Sequence, residues 1–299
     1  EELYKIDQFV MRGGNVLFFM DGMSENPSAQ YTGGEMFTPN SSNLDRLLNS
    51  YGIKRELNMV MDKNCFVNNS AQYGKVNLFW APVLQKQQLS KKHPITNNLG
   101  YVVMVQNSSL DVSEALKNNS VNVSVLAKSS EEAWTMSQGI MLNPFMMDVP
   151  ADKSTLQSYP LAVLVEGKFK SAFTESPVPQ SEDAEKTDNT LKTSSHIGNS
   201  VMPGKIFVLG SSGVTTGSVI DADGTTPSSM FIMNVVDYMN GNQDLCVMRT
   251  KSLSVDTLTI KNPKAVNFWK FFNQYGLVLL IILSGLIVWR VRVKRRKEI

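Results

Sequence analysis

The chain has little thiol or imidazole chemistry to offer. Its 299 residues include two cysteines, Cys65 and Cys246, and two histidines, His93 and His196. Two thiols exclude a disulfide framework and any zinc site built from several thiolates. Two imidazoles leave little for metal ligation or general-base chemistry. A single Cys65–Cys246 bridge stays open on this count. Both residues lie in apolar stretches, NCFV and DLCVM, where cysteine packs as a small hydrophobe, so buried free thiols are expected. His93 precedes Pro94 in a loop and His196 lies in a polar stretch, so neither is placed to serve a nucleophilic triad.

Positive charge is also scarce in the body of the chain. The formal net charge is +2, but residues 290–299 hold six Lys/Arg against Glu298, an excess of +5 that leaves −3 for residues 1–289. A body of that sign lacks the basic footprint of phosphate neutralisation, which argues against a nucleic-acid partner. With 42% hydrophobic and 19% charged residues, the chain is neither disordered nor collagen-like and can bury a core of one large or two small domains. It begins at Glu1 rather than Met, with an amphipathic helix at once, as expected of a fragment or a trimmed product. Nothing about export follows from the lack of a leader.

What is present is one long uncharged run. Residues 271–289, FFNQYGLVLLIILSGLIVW, carry no formal charge over 19 positions, about 28 Å as a helix. Trp269 and Tyr275 mark one end; Trp289 and the basic RVRVKRRK mark the other, the interface pattern of a membrane span. Six cations in 290–297 outnumber Lys261, Lys264 and Lys270 on the preceding side, which puts the C-terminus in the cytoplasm and the main domain outside. Gly276, Ser284 and Gly285 are the small positions at which this helix could contact another in lipid. Five N-x-S/T sequons, from Asn40 to Asn122, would be glycosylation sites in a eukaryotic secretory protein; coincidence in an Asn/Ser-rich chain is the favoured reading.

Residues 1–60 read helix, strand, loop, helix, strand. Leu3, Ile6, Phe9 and Val10 share one helical face, Gly13-Gly14 closes that helix, and NVLFFMD is an apolar strand ending at Asp21. SSNLDRLLNSYG is a capped helix. Further strands are expected at 76–82, 101–106, 121–129, 161–169, 205–211 and 244–249, and a helix over TPSSMFIMNVVDYMNGN with Phe231, Val235, Val236 and Met239 inward. Alternating strands and helices indicate an α/β domain with a mainly parallel sheet. Residues 174–200 are polar and nearly free of large apolar side chains, so they are expected to be a mobile surface insertion.

The motifs with a chemical reading are thin. GSSGVTTG (210–217) follows a strand but lacks the Walker A lysine and does not fit GxGxxG. DADG (221–224) opens like a calcium loop, yet the sixth and twelfth positions are Thr226 and Ile232, so a polar turn is the better account. Asp7, Asp21, Asp45 and Asp62 fall in different elements, and no carboxylate pair can be read from them. The 16 methionines are dispersed, which favours core filling over thioether metal ligation. The expectation is no enzyme, no cofactor and no metal.

Several segments in order carry a resemblance: IDQFVMRGGNVLFFMD (6–21), NLDRLLNSYGIK (43–54), HPITNNL (93–99), LAKSSEEAW (126–134), YPLAVLVEGKFKSAF (159–173), KIFVLGSSG (205–213) and FIMNVVDYMNGNQDLCVMRTKS (231–252). With the terminal span, the chain resembles the GldG-type auxiliary component of ABC transport systems, a gliding-motility-associated family. The resemblance implies a periplasmic α/β domain with a glutamine-amidotransferase-like or flavodoxin-like fold, anchored in the inner membrane. It also implies association with an ABC permease and its ATPase subunit. The layout that follows is an exoplasmic domain over 1–256, a juxtamembrane segment 257–270, the span 271–289 and a basic cytoplasmic tail 290–299 that meets lipid. A rival reading is a receptor for an envelope carbohydrate or polymer. Its pocket would lie above the strand C-termini, near Asp21, Gly22, Ser130, Ser211, Ser212 and Gly213.

Overall fold

The first helix, α1 (Glu2–Met11), ends in a left-handed Gly13 and turns into β1 (Asn15–Phe19). The computed structural model describes residues 1–32, 36–173, 196–251 and 263–297. After β1 comes a ribbon of β2 (Met23–Glu25) and β3 (Phe37–Pro39) around a single helical turn, α2 (Ala29–Thr32), then α3 (Asn43–Ser50). Next are β4 (Lys54–Arg55), β5 (Met59–Asp62), the hairpin β6 (Cys65–Ser70) and β7 (Gly74–Gln85), and β8 (Tyr101–Val103). Then follow β9 (Leu110–Asp111), α4 (Ser113–Lys117), β10 (Val121–Lys128), β11 (Ala133–Met136), β12 (Pro160–Gly167) and β13 (Gly204–Leu209). Three helices complete the described chain: α5 (Pro227–Met239), α6 (Gln243–Lys251) and α7 (Pro263–Lys297).

The central sheet has the order β1-β13-β12-β10. Only β1 and β13 pair in parallel; β12 runs antiparallel to both β13 and β10. This corrects the expectation of a mainly parallel, flavodoxin-like sheet. A parallel pair needs a long crossover, whereas antiparallel neighbours do not, and no described helix intervenes between β10 and β12 beyond one 3-10 turn. Those strands therefore fold back on each other antiparallel, while β11 between them leaves to pair with β5.

Both faces of the sheet are covered, which is why its strands are apolar on both sides. On one face Val10 and Met11 of α1 and Leu47 and Leu48 of α3 pack with Val163, Val165, Ile206 and Val208. On the other, Phe231 and Val235 of α5 pack with Leu161, Leu164, Phe207 and Leu209. A third cluster joins Met59, Met61, Cys65, Phe79 and Trp134 under the smaller sheets, so these methionines do fill core. Both thiols are free and buried.

Three sequence expectations change at this level. Residues 244–249 are helical, within α6, not a strand. Asp244 in the first turn and Arg249 and Lys251 in the last complement the helix dipole, and a short apolar run does not separate helix from strand. Val236 is 44% exposed, because the i, i+4 row Phe231, Val235, Met239 faces inward and the next position points away. In α1 the buried face runs through Tyr4, Asp7, Gln8, Val10 and Met11, leaving Phe9 outside. Most of the expected insertion, 174–195, lies outside the described residues. Its end is held in place: Ile197 N–H donates to Gln8 Oε1 (2.8 Å), and Ser200 Oγ accepts from Phe169 N–H (2.9 Å).

The chain divides into two compact units, Glu1–Ser254 and Val255–Ile299. In the second, α7 bends by 55° between Phe268–Gly276 and Leu280–Lys294. Among the described residues no single helix is long and apolar enough to cross a membrane, while this bent pair meets the length and composition together. The straight helix expected over 271–289 is thus bent, with Gly276 at the break, where glycine often sits in kinked helices.

Candidate functional site

Because β1 and β13 run parallel and end together, the loops that follow them meet at one end of the sheet, where open α/β sheets hold ligands. Asp21 stands in the first loop. Its Oδ1 accepts the Ser212 N–H at 2.7 Å, and its Oδ2 accepts the Ser212 hydroxyl. Ser211 is fully buried and donates through Oγ to the Val105 carbonyl at 2.6 Å. Gly213 opens the 3-10 turn Gly213–Thr215. Gly22 donates to Ser108 Oγ at 2.8 Å, and that hydroxyl donates on to the Asn58 carbonyl at 2.7 Å. Asp21, Gly22, Ser211, Ser212 and Gly213 therefore lie together.

Close backbone approach makes glycine necessary twice here. A Cβ on Gly22 would sit 2.3 Å from Ser108 Oγ and 2.5 Å from the Glu56 carbonyl. One on Gly210 would sit 2.1 Å from the Ser108 carbonyl and 2.6 Å from Asn107 Oδ1. That Oδ1 is buried without a hydrogen-bond partner.

Ser130 does not join this group. It follows β10, at the opposite edge of the sheet from β1, three strand spacings or roughly 14 Å away. Its N–H and Oγ both donate to Asp62, at 2.7 and 2.6 Å. It lines a separate groove of about 350 Å³ with Lys63, Asn64, Gln85, Gln87, Gln88, Glu131 and Glu132.

The residue that holds the Asp21 loop is Arg55, which is 4% exposed. Its Nε and Nη2 grip Asp45 Oδ1 and Oδ2 at 3.0 and 2.8 Å. Nη2 also donates to the Asn40 carbonyl at 2.7 Å, and Nη1 to the Asp21 carbonyl. Asp45 in turn accepts the Ser42 N–H at 2.8 Å in the capping box of α3. The Ser42-x-x-Asp45 spacing is a sequence signal for that cap. Nothing in the spacing pointed to an arginine ten residues on.

Chemically, the Asp21–Ser212 pair is a latch between two loops. The imidazoles lie elsewhere: His93 packs 4.6 Å from the Tyr238 ring, and His196 meets the Tyr4 hydroxyl at 3.2 Å. Burial, with Lys205 nearby, pushes the His93 pKa down to about 4. Among the described residues no cluster of His, Cys, Asp or Glu could hold a metal ion. The DADG segment is a polar turn: Asp221 accepts the Thr225 and Thr226 N–H groups at 2.7 and 3.0 Å, and the Thr226 hydroxyl at 2.6 Å. The Ser229 and Thr226 hydroxyls hold its carboxyl well below the usual range.

In α7, Gly285 faces open space, whereas a Cβ on Gly276 would lie 3.3 Å from the Phe272 ring. Ser284 Oγ donates to the Ile281 carbonyl at 2.8 Å, so its hydroxyl is satisfied within its own helix.

An uncharacterized protein of Borreliella burgdorferi is 28% identical over 178 residues, 56% of this chain and 33% of the relative. The aligned part thus covers about a third of that relative's length. No solved structure matches. Residues 1–247 match the family model for an ABC-type uncharacterized transport system. That match covers most of the 299 residues, and the chain belongs to this auxiliary family of ABC-type transport systems.

Proposed function

We propose that the chain is a non-enzymatic, membrane-anchored accessory subunit of an ABC transporter, with its α/β domain on the periplasmic side and its basic tail in the cytoplasm. The observation that carries this reading is the family match over 1–247 on a chain that continues into an apolar helix ending in cations. ATP chemistry then belongs to the partner ATPase, and this subunit contacts the permease. The latch at Asp21 and Ser212 supports a scaffold, since both carboxylate oxygens are already engaged. Within the family, the GldG-type segments favour a gliding-motility system. Loss of gliding in a deletion strain tests that finer assignment.

In lipid, helix contact depends on small residues that let backbones approach. Gly285, open on its surface, is the residue expected to meet the permease, with Ser284 beside it. Copurification of the full chain from its host in mild detergent should recover a permease and an ATPase. Gly285→Leu should lower that recovery while the outer domain stays folded. Unchanged recovery removes the helix contact, and absence of both partners from the wild-type preparation refutes the accessory reading.

The groove at Ser130 favours a second reading, a receptor for an envelope carbohydrate. Its three glutamines and one asparagine offer amide donors and acceptors of the kind that recognise hydroxyls. A concentration-dependent rise in melting temperature with a soluble envelope oligosaccharide, lost in Gln88→Ala, would favour it over the scaffold.

A further inference from the structure

The end of the central sheet opposite Asp21 has a distinct surface. Three segments meet there: the last turn of α1 through Gly14, residues 168–171 after β12, and residues 199–203 before β13. Ser200 N–H donates to the Phe169 carbonyl and Val201 N–H to the Met11 carbonyl, each at 2.9 Å. This stitching brings Phe9 against Gly14 and Met202 against Gly13: added Cβ atoms there would lie 2.3 Å from the Phe9 ring and 2.9 Å from Met202 Cβ. Phe9, Val201 and Met202 are nevertheless 52%, 64% and 58% exposed. Single exposed apolar residues are ordinary, but a contiguous group marks an interaction surface.

Cations surround this group. Arg12 adjoins Gly13, and Lys168 and Lys170 flank the buried Phe169; all three cations are exposed. Among the described residues near these segments, two carboxylates are committed elsewhere. Asp7 is buried and accepts from Tyr51, Ser171, Ala172 and Gln8. Glu166 accepts the Tyr238 hydroxyl and lies 4.0 Å from Lys205.

We propose that this end of the domain docks on an anionic lipid surface, with Phe9, Val201 and Met202 entering the interface and Arg12, Lys168 and Lys170 meeting the headgroup phosphates. Apolar insertion and cationic attraction are the two signals that together give stable membrane contact. The inference rests on the reading of α7 as the anchor. Only residues 252–262 link α6 to α7, at most about 40 Å when extended, so the domain meets a bilayer at high effective concentration. That tether favours lipid over an acidic protein as the occupant.

The test uses the full chain reconstituted in vesicles. Cys65 and Cys246 are 8% and 0% exposed, so Met202→Cys supplies one accessible thiol for a polarity-sensitive fluorophore. Gln87→Cys, in the groove with Ser130, is the control. In phosphatidylcholine vesicles containing phosphatidylglycerol, emission at position 202 should shift blue and be quenched by brominated acyl chains. In phosphatidylcholine alone it should not, and the control should respond in neither. Lys168→Glu with Lys170→Glu should lower the docked-to-undocked ratio on the order of thirtyfold or more, while unreactive native thiols report that the variant is folded. Equal emission in both vesicles overturns the proposal and leaves the face to a second protein or to the acidic residues 174–195 of this chain. Quenching that survives the charge reversal also overturns it. A chain that fails to float with vesicles after an alkaline wash removes the anchor reading itself, whereas one that floats with a silent label at position 202 removes only the docking.

Discussion

Replacing Arg55 should disturb stability and the candidate site together. The guanidinium is buried, and its carboxylate partner Asp45 has a side chain 21% exposed. Arg55→Ala leaves Asp45 without its bidentate partner and removes the donors to the Asp21 and Asn40 carbonyls. Breaking one side of a buried pair costs about 3–5 kcal/mol. Because Asp45 reaches some solvent, the lower end applies, about 3 kcal/mol, or about 6–12 °C in melting temperature for a domain of this size. Arg55→Lys keeps the charge but not the planar fork and should lose about 2 kcal/mol. Urea titration of the full chain in detergent, followed by fluorescence of Trp80 and Trp134, gives these values. A double-mutant cycle with Asp45→Asn should return a coupling of about 2 kcal/mol. Amide exchange at Gly22 and Asn40 should rise in Arg55→Lys, because the loop loses its clamp. A lysine variant within 0.5 kcal/mol of wild type, with unchanged exchange at these amides, would refute the clamp.

Three further outcomes follow from buried groups. His93 has a folded pKa near 4, below its unfolded value, and its Nε2 is buried without a partner. Its neutral form therefore adds stability above pH 6.5 that is lost as pH falls toward 4, roughly 1–2 kcal/mol after allowing for partial exposure; His93→Gln should flatten the urea-derived stability profile over that window. Burial pushes the Cys65 thiol up to about 11 and raises Cys246 as well, so a disulfide reagent should titrate both thiols only after denaturant is added; a thiol reacting at once in the native chain contradicts the packing. Gly210→Ala forces a methyl against the Ser108 carbonyl and should cost about 2–3 kcal/mol by the same titration, whereas Gly241→Ala, with open space around it but a left-handed backbone, should cost about 1 kcal/mol.

How far the fold was legible depended on how local each cause is. Ser42 and Asp45 announce the start of α3 within four residues, and Thr226 with Pro227 announces α5. The apolar strands β12 and β13 were visible as runs, but strand direction is set by pairing between segments far apart. β1 and β13 pair through Phe18 and Val208, and nothing within either run states which way the partner points. The α6 segment reads as a strand because DLCVMR is too short to show a period. Its helix is held by Arg249, which binds both Asn234 and Asp237 on α5.

The candidate site divides along the same line. Asp21 and Ser211 to Gly213 were legible because each follows an apolar strand, and strand ends gather at one side of a sheet whatever the order of its strands. Ser130 follows a strand too and lies at the same end, but the sheet order β1-β13-β12-β10 puts the width of the sheet between it and Asp21. Its partner became Asp62, a buried carboxylate that also accepts the Asn64 N–H at 2.8 Å. One sequence rule thus produced two separate places: a loop latch at Asp21 whose acceptors are filled, and a polar groove at Ser130. A scaffold needs the first to hold its loops in register, while the second offers a soluble ligand amide groups. The choice between subunit and receptor therefore turns on the Ser130 groove.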